Sequence, residues 1–373
     1  MCTAIICDGF KIGGIERLAL DQAYALNSVR KNCKIIVLSE KPDKETPSFK
    51  NNESELIEGL KVQFVYISGT RITQYKKLVD LIDTYKFDDI ISHSLRGSVL
   101  IFLIRFLKNH NFKLTTTIHQ LPTLSAPFQL YRRMLYSQFT DKLFIFSVAA
   151  RNDWNYRRSK NIFIRFLTYK RKIAICRNGV YLPRLKLNTK SFESRIKQID
   201  RLVFIGRLTA WKGLDTFIKI AQLESMANFK ILLVTPTDPT EYLKHIDSNL
   251  LKRTQCIVGN SISQIDFFKG DLLLYPANYG KESKFVEGVS INVLEMACLG
   301  VPSLISKNGS DTWPELLELG LVQEVDWENI ESVASTIKSN ITIPSIEQVI
   351  ECRTIISISH NLDSQFTFLH SNF

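Results

Sequence analysis

The most informative stretch of the sequence is EGVSINVLE, residues 287–295, which is followed shortly by Gly300-Val301-Pro302. A carboxylate stands at each end, Glu287 and Glu295, and the polar loop between them runs into an apolar helical pattern. The first N–H groups of a helix have no internal partners, and the helix dipole favours negative charge beside them. A phosphate therefore fits the loop, and the carboxylates can accept hydrogen bonds from hydroxyl groups on either side of it. Such a ligand is a nucleotide-sugar.

Length and composition indicate a globular protein of two domains with an anionic partner. A chain of 373 residues is longer than one ordinary hydrophobic core supports. Hydrophobic residues make up 45% and charged residues 23%, which excludes the disordered class. The net charge of +11 points to nucleic acid, an acidic membrane surface or phosphate-bearing ligands.

Cysteine usage and hydropathy predict a soluble or peripheral protein of the cytosol. The seven cysteines are scattered and odd in number, which predicts reduced thiols and neither a disulfide framework nor a zinc site. Asp8 interrupts the first apolar run, so no secretory signal is expected. The longest apolar stretch, 98–107, contains Arg105. It is shorter than the ~20 residues that a membrane-spanning helix needs.

Short β-branched runs alternate with helical patterns along the chain, which is typical of parallel sheets covered on both faces. The first series predicts strands at 3–8, 34–39, 62–68, 89–94, 114–119, 142–146 and 173–177. The second predicts strands at 202–205, 230–235, 255–258, 272–275 and 303–306. Helices are predicted at 15–29, 72–84, 97–108, 128–139, 149–156, 213–223, 239–249, 261–267 and 290–299. The chain thus divides into domains 1–180 and 201–344, a linker 181–200 and a helical segment 345–373.

Ligands of open parallel sheets bind beyond the carboxyl ends of the strands, so the residues after strands are candidate site residues. Gly206-Arg207 follows one strand, and Lys212-Gly213 opens the next helix. A forked Arg donor and a Lys point charge suit phosphates, with two solvated surface cations as the alternative. Glu287 and Glu295 alone fit an ordinary amphipathic helix equally well. The cations in the same half of the chain favour the ligand hypothesis.

Two further candidates lie after strands of the first series. His119 ends a strand, where it can donate to a sugar hydroxyl or position a reacting centre, although a structural histidine is the more common case. His93 is a weaker candidate at the neighbouring strand. Gly13-Gly14 lies between the first strand and helix, where a plain turn is equally possible. The pair does not meet the Gly-x-Gly-x-x-Gly dinucleotide pattern.

Four motifs occur in one order along the chain: Gly13-Gly14-Ile15-Glu16-Arg17, Arg177-Asn178-Gly179-Val180, Gly206-Arg207 with Lys212-Gly213, and 287–295 with Gly300-Val301-Pro302. Over nearly the whole chain they resemble glycosyltransferase family 4, a group of mostly retaining, nucleotide-sugar-dependent enzymes. The resemblance implies the α/β GT-B fold, two Rossmann-like domains with parallel sheets facing across a cleft. It also implies that the C-terminal domain binds the nucleotide-sugar, that the N-terminal domain takes the acceptor, and that 345–373 crosses back to pack on the N-terminal domain.

The resemblance also implies a role for each motif residue. The residues expected at the reacting sugar and the leaving diphosphate are His119, Glu287, Arg207 and Lys212. The expected donor-binding residues are Gly13, Gly14, Gly206, Arg207, Lys212, Glu287, Gly288, Val289, Ser290 and Glu295. Within this set Glu287 holds the transferred sugar and Glu295 the ribose. Backbone amides around 288–290 meet the distal phosphate.

The expected mechanism needs neither a metal nor a cofactor, since the nucleotide-sugar is a co-substrate. Breaking the anomeric C–O bond gathers negative charge on the departing diphosphate, and Arg207, Lys212 and the helix N-terminus would stabilise it. No Asp-x-Asp motif occurs in the sequence, so no divalent metal is expected. The resemblance implies retention at the anomeric carbon.

Residues 151–190 mix Arg and Lys with aromatic and aliphatic side chains, which suits an anionic lipid surface, with a solvated basic face as the alternative. No nucleic-acid recognition fold is visible, so no nucleic acid is expected. The hypothesis is transfer to a saccharide acceptor, lipid-linked, in assembly of bacterial surface polysaccharide such as lipopolysaccharide. The protein would then sit at the inner face of the cytoplasmic membrane. A nucleotide-sugar epimerase and a non-catalytic nucleotide-sugar-binding subunit are the competing hypotheses.

Overall fold

The computed structural model describes residues 2–9, 14–28, 32–41, 62–122, 140–145, 152, 173–175, 177–187, 189, 198–244, 246–259, 262–267, 270–277, 285–287, 289–307, 313–339 and 341–357. These residues form two compact units. The first contains the described residues up to Tyr181 together with 285–287, and the second contains those from Leu182 to 277 and from Val289 to 357. Each unit has its own parallel sheet and its own hydrophobic core.

The first unit is built on a seven-stranded sheet in the order β3-β2-β1-β4-β5-β7-β8, parallel at every described pair. Its strands are β1 (Cys2–Cys7), β2 (Asn32–Val37), β3 (Gln63–Tyr66), β4 (Asp89–Ser92), β5 (Lys113–Ile118), β7 (Lys142–Ile145) and β8 (Ile173–Ile175). Its helices are α1 (Gly14–Ser28), α2 (Arg71–Tyr85) and α3 (Leu95–Lys108). Two short strands, β6 (Gln120–Pro122) and β13 (Phe285–Glu287), form a separate antiparallel pair.

The second unit is built on a six-stranded parallel sheet in the order β11-β10-β9-β12-β14-β15. Its strands are β9 (Arg201–Ile205), β10 (Lys230–Thr235), β11 (Thr254–Val258), β12 (Asp271–Tyr275), β14 (Ser303–Ser306) and β15 (Val322–Val325). Its helices are α4 (Leu214–Ala221), α5 (Thr240–Leu243), α6 (Ser248–Lys252), α7 (Ile291–Cys298), α8 (Glu315–Glu318), α9 (Ile330–Ser339) and α10 (Ile346–Ile356).

Burial explains why these runs form strands of parallel sheets. All four residues of β4 and all five of β12 are buried, and β1 is buried at every position after Cys2. Strands covered on both faces need near-continuous apolar runs rather than alternation, and these segments have them. The first core includes Ile6, Ile101 and Leu114, and the second includes Phe217 on α4.

In both sheets the first strand is an interior strand, and the chain adds later strands first on one side of it and then on the other. The point at which the direction changes is the switch point of the sheet. In the first sheet the chain winds outward from β1 through β2 and β3, then returns to β4 on the other side of β1. The second sheet repeats this order around β9, with β12 on its other side. The carboxyl ends of the two strands that flank a switch point are where doubly wound sheets bind ligands. The residues after β1, β4, β9 and β12 are therefore the candidate ligand-binding positions.

The α/β fold class predicted from the sequence is confirmed. All seven predicted strands of the first series and all five of the second are present, displaced by a few residues at most. The antiparallel pair β6–β13, strand β15 and helices α8 and α9 were not predicted. The predicted helix 128–139, and all of the predicted helix 149–156 except residue 152, lie outside the described residues.

Two predicted helices are wrong in detail. The helix expected over 239–249 is two short helices, α5 and α6. Asp247 explains the break, because its carboxylate accepts hydrogen bonds from the backbone N–H groups of Asn249 and Leu250 and caps a new helix. The helix expected over 261–267 is a 3₁₀ turn, Ile262–Gln264.

The C-terminal helical prediction is described only in its first part. Ser345 and Gln348 form a capping box that starts α10. This helix packs on α7 within the second unit, where the Arg353 guanidinium donates to the backbone oxygen of Cys298 at 2.9 Å. Residues 358–373, on which the predicted return to the N-terminal domain depends, lie outside the described residues.

Candidate functional site

The two predicted phosphate-binding cations share one indole ring at the carboxyl end of β9. The Cζ atom of Arg207 lies 6.0 Å from the ring centroid of Trp211, and Nζ of Lys212 lies 3.9 Å from it. The face of an indole attracts cations, which helps to hold two positive side chains together against their repulsion. The result is concentrated positive charge beside the switch point of the second sheet, where an anionic ligand would be stabilised.

The turn between β9 and α4 fixes the position of Lys212. The ammonium group of Lys212 donates a hydrogen bond to the hydroxyl of Tyr275, the last residue of β12. The next residue, Gly213, has φ of +75°, and a Cβ atom built on it would lie 2.4 Å from the carbonyl oxygen of Pro276. Only glycine fits this backbone and this approach. The turn is thereby pressed against the end of β12, and Lys212 spans the two strands at the switch point.

The N-terminus of α7 lies at the same edge of the second sheet. Ser290 is its N-cap residue, with an extended backbone (φ −63°, ψ 139°), and the buried Val289 precedes it. The side-chain amide of Asn292 donates to the backbone oxygen of Ile205 at 3.1 Å. Since Ile205 ends β9, this bond places the first turn of α7 beside the strand that leads to Arg207. The helix dipole and the cations therefore act on one region.

Glu295 is buried in an ion pair. Its Oε1 atom accepts a hydrogen bond from Nη2 of Arg184, and the two side chains are 4% and 2% exposed. Arg184 belongs to the 3₁₀ turn Leu182–Arg184 at the start of the second unit. The pair anchors α7 to this segment. The carboxylate predicted to hold ribose hydroxyls thus already has one oxygen engaged with an arginine.

Glu287 lies on β13, which belongs to the first unit. In the antiparallel pair, Glu287 is opposite Gln120 on β6. His119 immediately precedes that strand, so the structure brings the backbones of two predicted catalytic residues close together. Sequence analysis did not identify this pairing. Gly288 lies outside the described residues.

His119 is hydrogen-bonded to His93, the residue after β4. Their rings approach with 2.8 Å between Nδ1 of His93 and Nε2 of His119 and 4.9 Å between ring centroids. The Nε2 atom of His93 lies 2.8 Å from Oε1 of Gln22 on α1. Burial lowers the pKa of His93 to about 4, so this imidazole is neutral at neutral pH. The weaker of the two candidate histidines is therefore the more buried one, and it contacts the stronger.

The switch point of the first sheet carries a second polar link. Oγ of Ser94, the N-cap of α3, donates to Oδ1 of Asp8, which follows β1, at 2.6 Å. This bond joins the ends of the two strands that flank the switch point. Gly14 begins α1, and a Cβ atom built there meets no atom within 4 Å. Its partner in the predicted glycine pair, Gly13, lies outside the described residues.

Residues that contribute to these arrangements and were not assigned from the sequence include Gln22, Ser94, Arg184, Trp211, Tyr275 and Asn292. Position offered a signal for Trp211 and Tyr275, because Trp211 directly precedes the cation Lys212 and Tyr275 ends a strand. Asn292 follows the N-cap of a predicted helix, which is also a recognisable position. Arg184 had no such signal, since 111 residues separate it from Glu295.

Among the described residues, no helix is long and apolar enough to cross a bilayer. Nor do three or more His, Cys, Asp and Glu side chains gather as metal ligands in the described ranges. Of the basic and aromatic segment 151–190, only 152, 173–175, 177–187 and 189 are described.

A known family model matches one stretch of the chain, and most of that stretch belongs to the second unit. Residues 188–322 match the family model of glycosyl transferases group 1. This region contains β9, the two cations, the N-terminus of α7 and Glu295. No curated protein sequence matches the chain significantly.

Solved structures resemble the chain over its full length. Sucrose-phosphate synthase from Thermosynechococcus elongatus superposes with a TM-score of 0.67 at 12% identity, covering 100% of both chains. Anabaena HepE, in complex with UDP and glucose, gives 0.67 at 14%, covering 100% of this chain and 99% of its own. The lipopolysaccharide outer core galactosyltransferase WaaB gives 0.62 at 12%, covering 100% of both.

The matched domain and the fold support a glycosyltransferase. At these low identities the structural similarities establish the fold, and the predicted GT-B class is confirmed. In this glycosyltransferase the matched segment supplies the cations and the helix N-terminus of the second unit. The histidines and Glu287 lie in the first unit.

Proposed function

We propose that the protein transfers a sugar from a nucleotide-diphosphate-sugar to a hydroxyl group of a saccharide acceptor. The observation that carries this proposal is the placement of Arg207 and Lys212 on one indole ring, beside the N-terminus of α7. These groups present fixed positive charge to a diphosphate at a switch point. HepE, which has the same fold, was solved with UDP-glucose. That similarity supports the same donor class here.

In the proposed reaction the bond between the anomeric carbon and the phosphate oxygen breaks, and the diphosphate leaves with the electron pair. Arg207, Lys212 and the first-turn N–H groups of α7 stabilise the charge that develops on it. The acceptor hydroxyl adds to the anomeric carbon from the same face, which retains configuration. A phosphate oxygen on that face can take the hydroxyl proton. The cations serve the leaving group in place of a metal ion, and no cofactor is needed.

The remaining predicted residues have proposed roles toward the donor. Glu287 and His119 contact the transferred sugar, and their backbones are neighbours in the first unit. Glu295 contacts the ribose through the oxygen that Arg184 does not engage. The amides of residues 288–290 bind the distal phosphate, and Gly13 and Gly14 also bind the donor.

A panel of nucleotide-sugars, with UDP-glucose among them, tests the donor class. Each compound is added at saturating concentration in a thermal unfolding assay, and a donor at about 100 times its Kd should add about 2.7 kcal/mol of stability. We expect stabilisation by one nucleotide-diphosphate-sugar and by its nucleoside diphosphate. Absence of any stabilisation across the panel would contradict the proposal.

Product analysis with the stabilising donor separates the competing functions. Release of nucleoside diphosphate that requires a saccharide acceptor indicates transfer. An epimerase would convert the donor sugar without an acceptor, and a binding subunit would be stabilised by donor without turnover. The epimerase is not favoured, because the described clusters of polar residues gather cations and histidines rather than an acid–base pair of carboxylates.

We propose that the acceptor is lipid-linked, in assembly of bacterial surface polysaccharide, and that the protein acts at the inner face of the cytoplasmic membrane. The net charge of +11 supports this. On α3, the side chains of Leu103, Phe106 and Leu107 are 40%, 74% and 63% exposed, and the exposed Lys108 follows them. An apolar helix end beside a cation suits an anionic bilayer surface. WaaB, a lipopolysaccharide galactosyltransferase by its name, has the same fold.

Sedimentation with phosphatidylglycerol vesicles tests the membrane proposal. We expect binding at low salt that weakens as salt increases, with each cation near the surface contributing about 1 kcal/mol. The variant Phe106→Ser/Leu107→Ser should bind less. Ile350→Ser on α10 is the matched control, because Ile350 is also exposed, at 53%, but lies in the other unit. Equal binding to phosphatidylcholine vesicles, or none at low salt, would refute the membrane part.

A further inference from the structure

The contacts among Gln22, His93 and His119 assign the ring protons of both histidines. The Oε1 atom of Gln22 can only accept a hydrogen bond, so the proton of a neutral His93 lies on Nε2, 2.8 Å away. The Nδ1 atom of His93 then carries a lone pair and must accept across its own 2.8 Å contact. The donor in that contact is Nε2–H of His119. One tautomer of each ring satisfies both contacts.

We propose that His93 is a positioning residue for His119: it accepts the hydrogen bond from Nε2–H of His119 and so fixes the orientation of that ring at the donor sugar. The Nε2–H group of His119 is then engaged by His93, so this group does not donate to a sugar hydroxyl, which was one of the two roles expected from the sequence. Naming the sugar as the ligand rests on the proposed function, whereas the proton assignment does not.

The surroundings of His93 make it suitable for holding another ring. Its side chain is buried, and its backbone N–H donates to the backbone oxygen of Ile6 at 2.9 Å, which fixes the residue to β1. Gln22 is 4% exposed on α1. His119 is half-buried, and its Nε2 atom is linked through His93 to Gln22. The hydrogen bonds therefore run from a buried amide on α1, through the residue after β4, to the residue after the neighbouring strand β5.

Selective ¹⁵N-histidine NMR on the ligand-free protein tests the proton assignment. We expect a ring N–H signal for His119 at Nε2, with a scalar coupling across the hydrogen bond to Nδ1 of His93. His93→Asn keeps an acceptor oxygen near the Nδ1 position and should retain the His119 N–H signal. His93→Phe removes the acceptor and should lose that signal to exchange with water.

Two further variants keep the test decisive if His93→Phe unfolds. Gln22→Leu leaves both histidines in place but frees the tautomer of His93, so the coupled signal should weaken. His110→Asn is the matched control, because His110 pairs with Asp83 at 3.1 Å elsewhere in the same unit. An Nε2 atom of His119 that carries no proton in the wild type would overturn the proposal. So would a His119 signal that Gln22→Leu and His93→Phe leave unchanged.

Transfer kinetics separate positioning from a purely structural role. With the donor that the panel identifies, or UDP-glucose as probe, we expect His93→Phe to lower kcat roughly 10- to 100-fold, as loss of a ring-orienting partner does for metal-bound histidines. KM for the donor should change little, and His93→Asn should restore most of the rate. Equal rates for His93→Phe and wild type would refute positioning. If wild type transfers no sugar, the proposed function fails, and the NMR result still decides the proton assignment.

Discussion

An Arg184→Met variant is expected to lose about 3–5 kcal/mol of unfolding free energy, because it leaves the carboxylate of Glu295 buried without its cation. Both side chains of this pair are almost fully covered, at 2% and 4% exposure. Water therefore cannot replace the lost hydrogen bond. Most domains have only about 5–15 kcal/mol of stability, so the second unit should be severely weakened. Urea unfolding at pH 7 measures the change.

A double-mutant cycle shows whether the loss comes from the unpaired charge. Arg184→Met/Glu295→Leu replaces both partners with apolar groups of similar volume and should be more stable than either single variant. The matched control is Arg105→Met, whose partner Asp141 is 39% exposed, and the expected loss there is about 0–1 kcal/mol. Single variants within about 1 kcal/mol of wild type would show that the buried pair is not what anchors α7.

The same pair shows where inference from sequence stops. The phosphate and sugar hypothesis for 287–295 used local chemistry: a polar loop, a helix start and two acids. That reasoning placed the helix correctly, as α7. It assigned Glu295 to the ligand but did not find the buried ion pair that this carboxylate forms with Arg184. A partner 111 residues away leaves no periodicity or spacing in the sequence, so only tertiary structure reveals it.

Strand prediction succeeded where burial dictates composition and failed where it does not. The β1 and β12 segments are continuous apolar runs because helices cover both faces of the sheet, and such runs are legible. By contrast, β15 (Val322–Val325) contains Gln323 and Glu324 and lies at the sheet edge. The pair β6–β13 has only three residues in each strand. Neither the edge strand nor the short pair contains an apolar run long enough to predict a strand.

Sequence patterns indicated candidate site residues but not the contacts between their side chains. The rule that ligands bind after strands selected Arg207, Lys212 and His119 as candidates, and they stay candidates. It could not show that Trp211 lies under both cations or that His93 holds His119. The contact between the histidines joins residues that follow separate strands, and it depends on the strand order that places β4 beside β5. The contacts of Trp211 lie within one turn and depend on the conformation of that turn.

Replacing Lys212 by Met is expected to lower the transfer rate by about 10²–10³-fold, the usual effect of removing one group that stabilises charge developing in the transition state. The stem of Met fills much of the space of the Lys stem, so the loss is chiefly one of charge. In the wild type, the ammonium group of Lys212 is held by the Tyr275 hydroxyl and the Trp211 ring, so it is oriented before the donor binds. Steady-state rates with saturating donor and acceptor measure the effect.

Lys219→Met is the matched control, because Lys219 is an exposed lysine on α4 that follows the same turn. Its rate should stay close to that of wild type. Thermal unfolding of Lys212→Met should remain cooperative, since the turn is fixed by Gly213 against Pro276 rather than by the ammonium group. A Lys212→Met enzyme with more than half of the wild-type rate would remove this residue from the leaving-group site.

The step at which Lys212 acts is identified by whether the Lys212→Met substitution lowers kcat or raises KM for the donor. Charge on the diphosphate is larger in the transition state than in the bound donor, because the departing group takes the electron pair. Loss of an interaction that strengthens with that charge lowers kcat. Loss of an interaction that is equally strong in the bound donor and in the transition state raises only KM. We therefore expect most of the loss in kcat. A change confined to KM would mean that Lys212 binds the diphosphate equally before and during bond breaking, and that Arg207 and the α7 N-terminus provide the stabilisation alone.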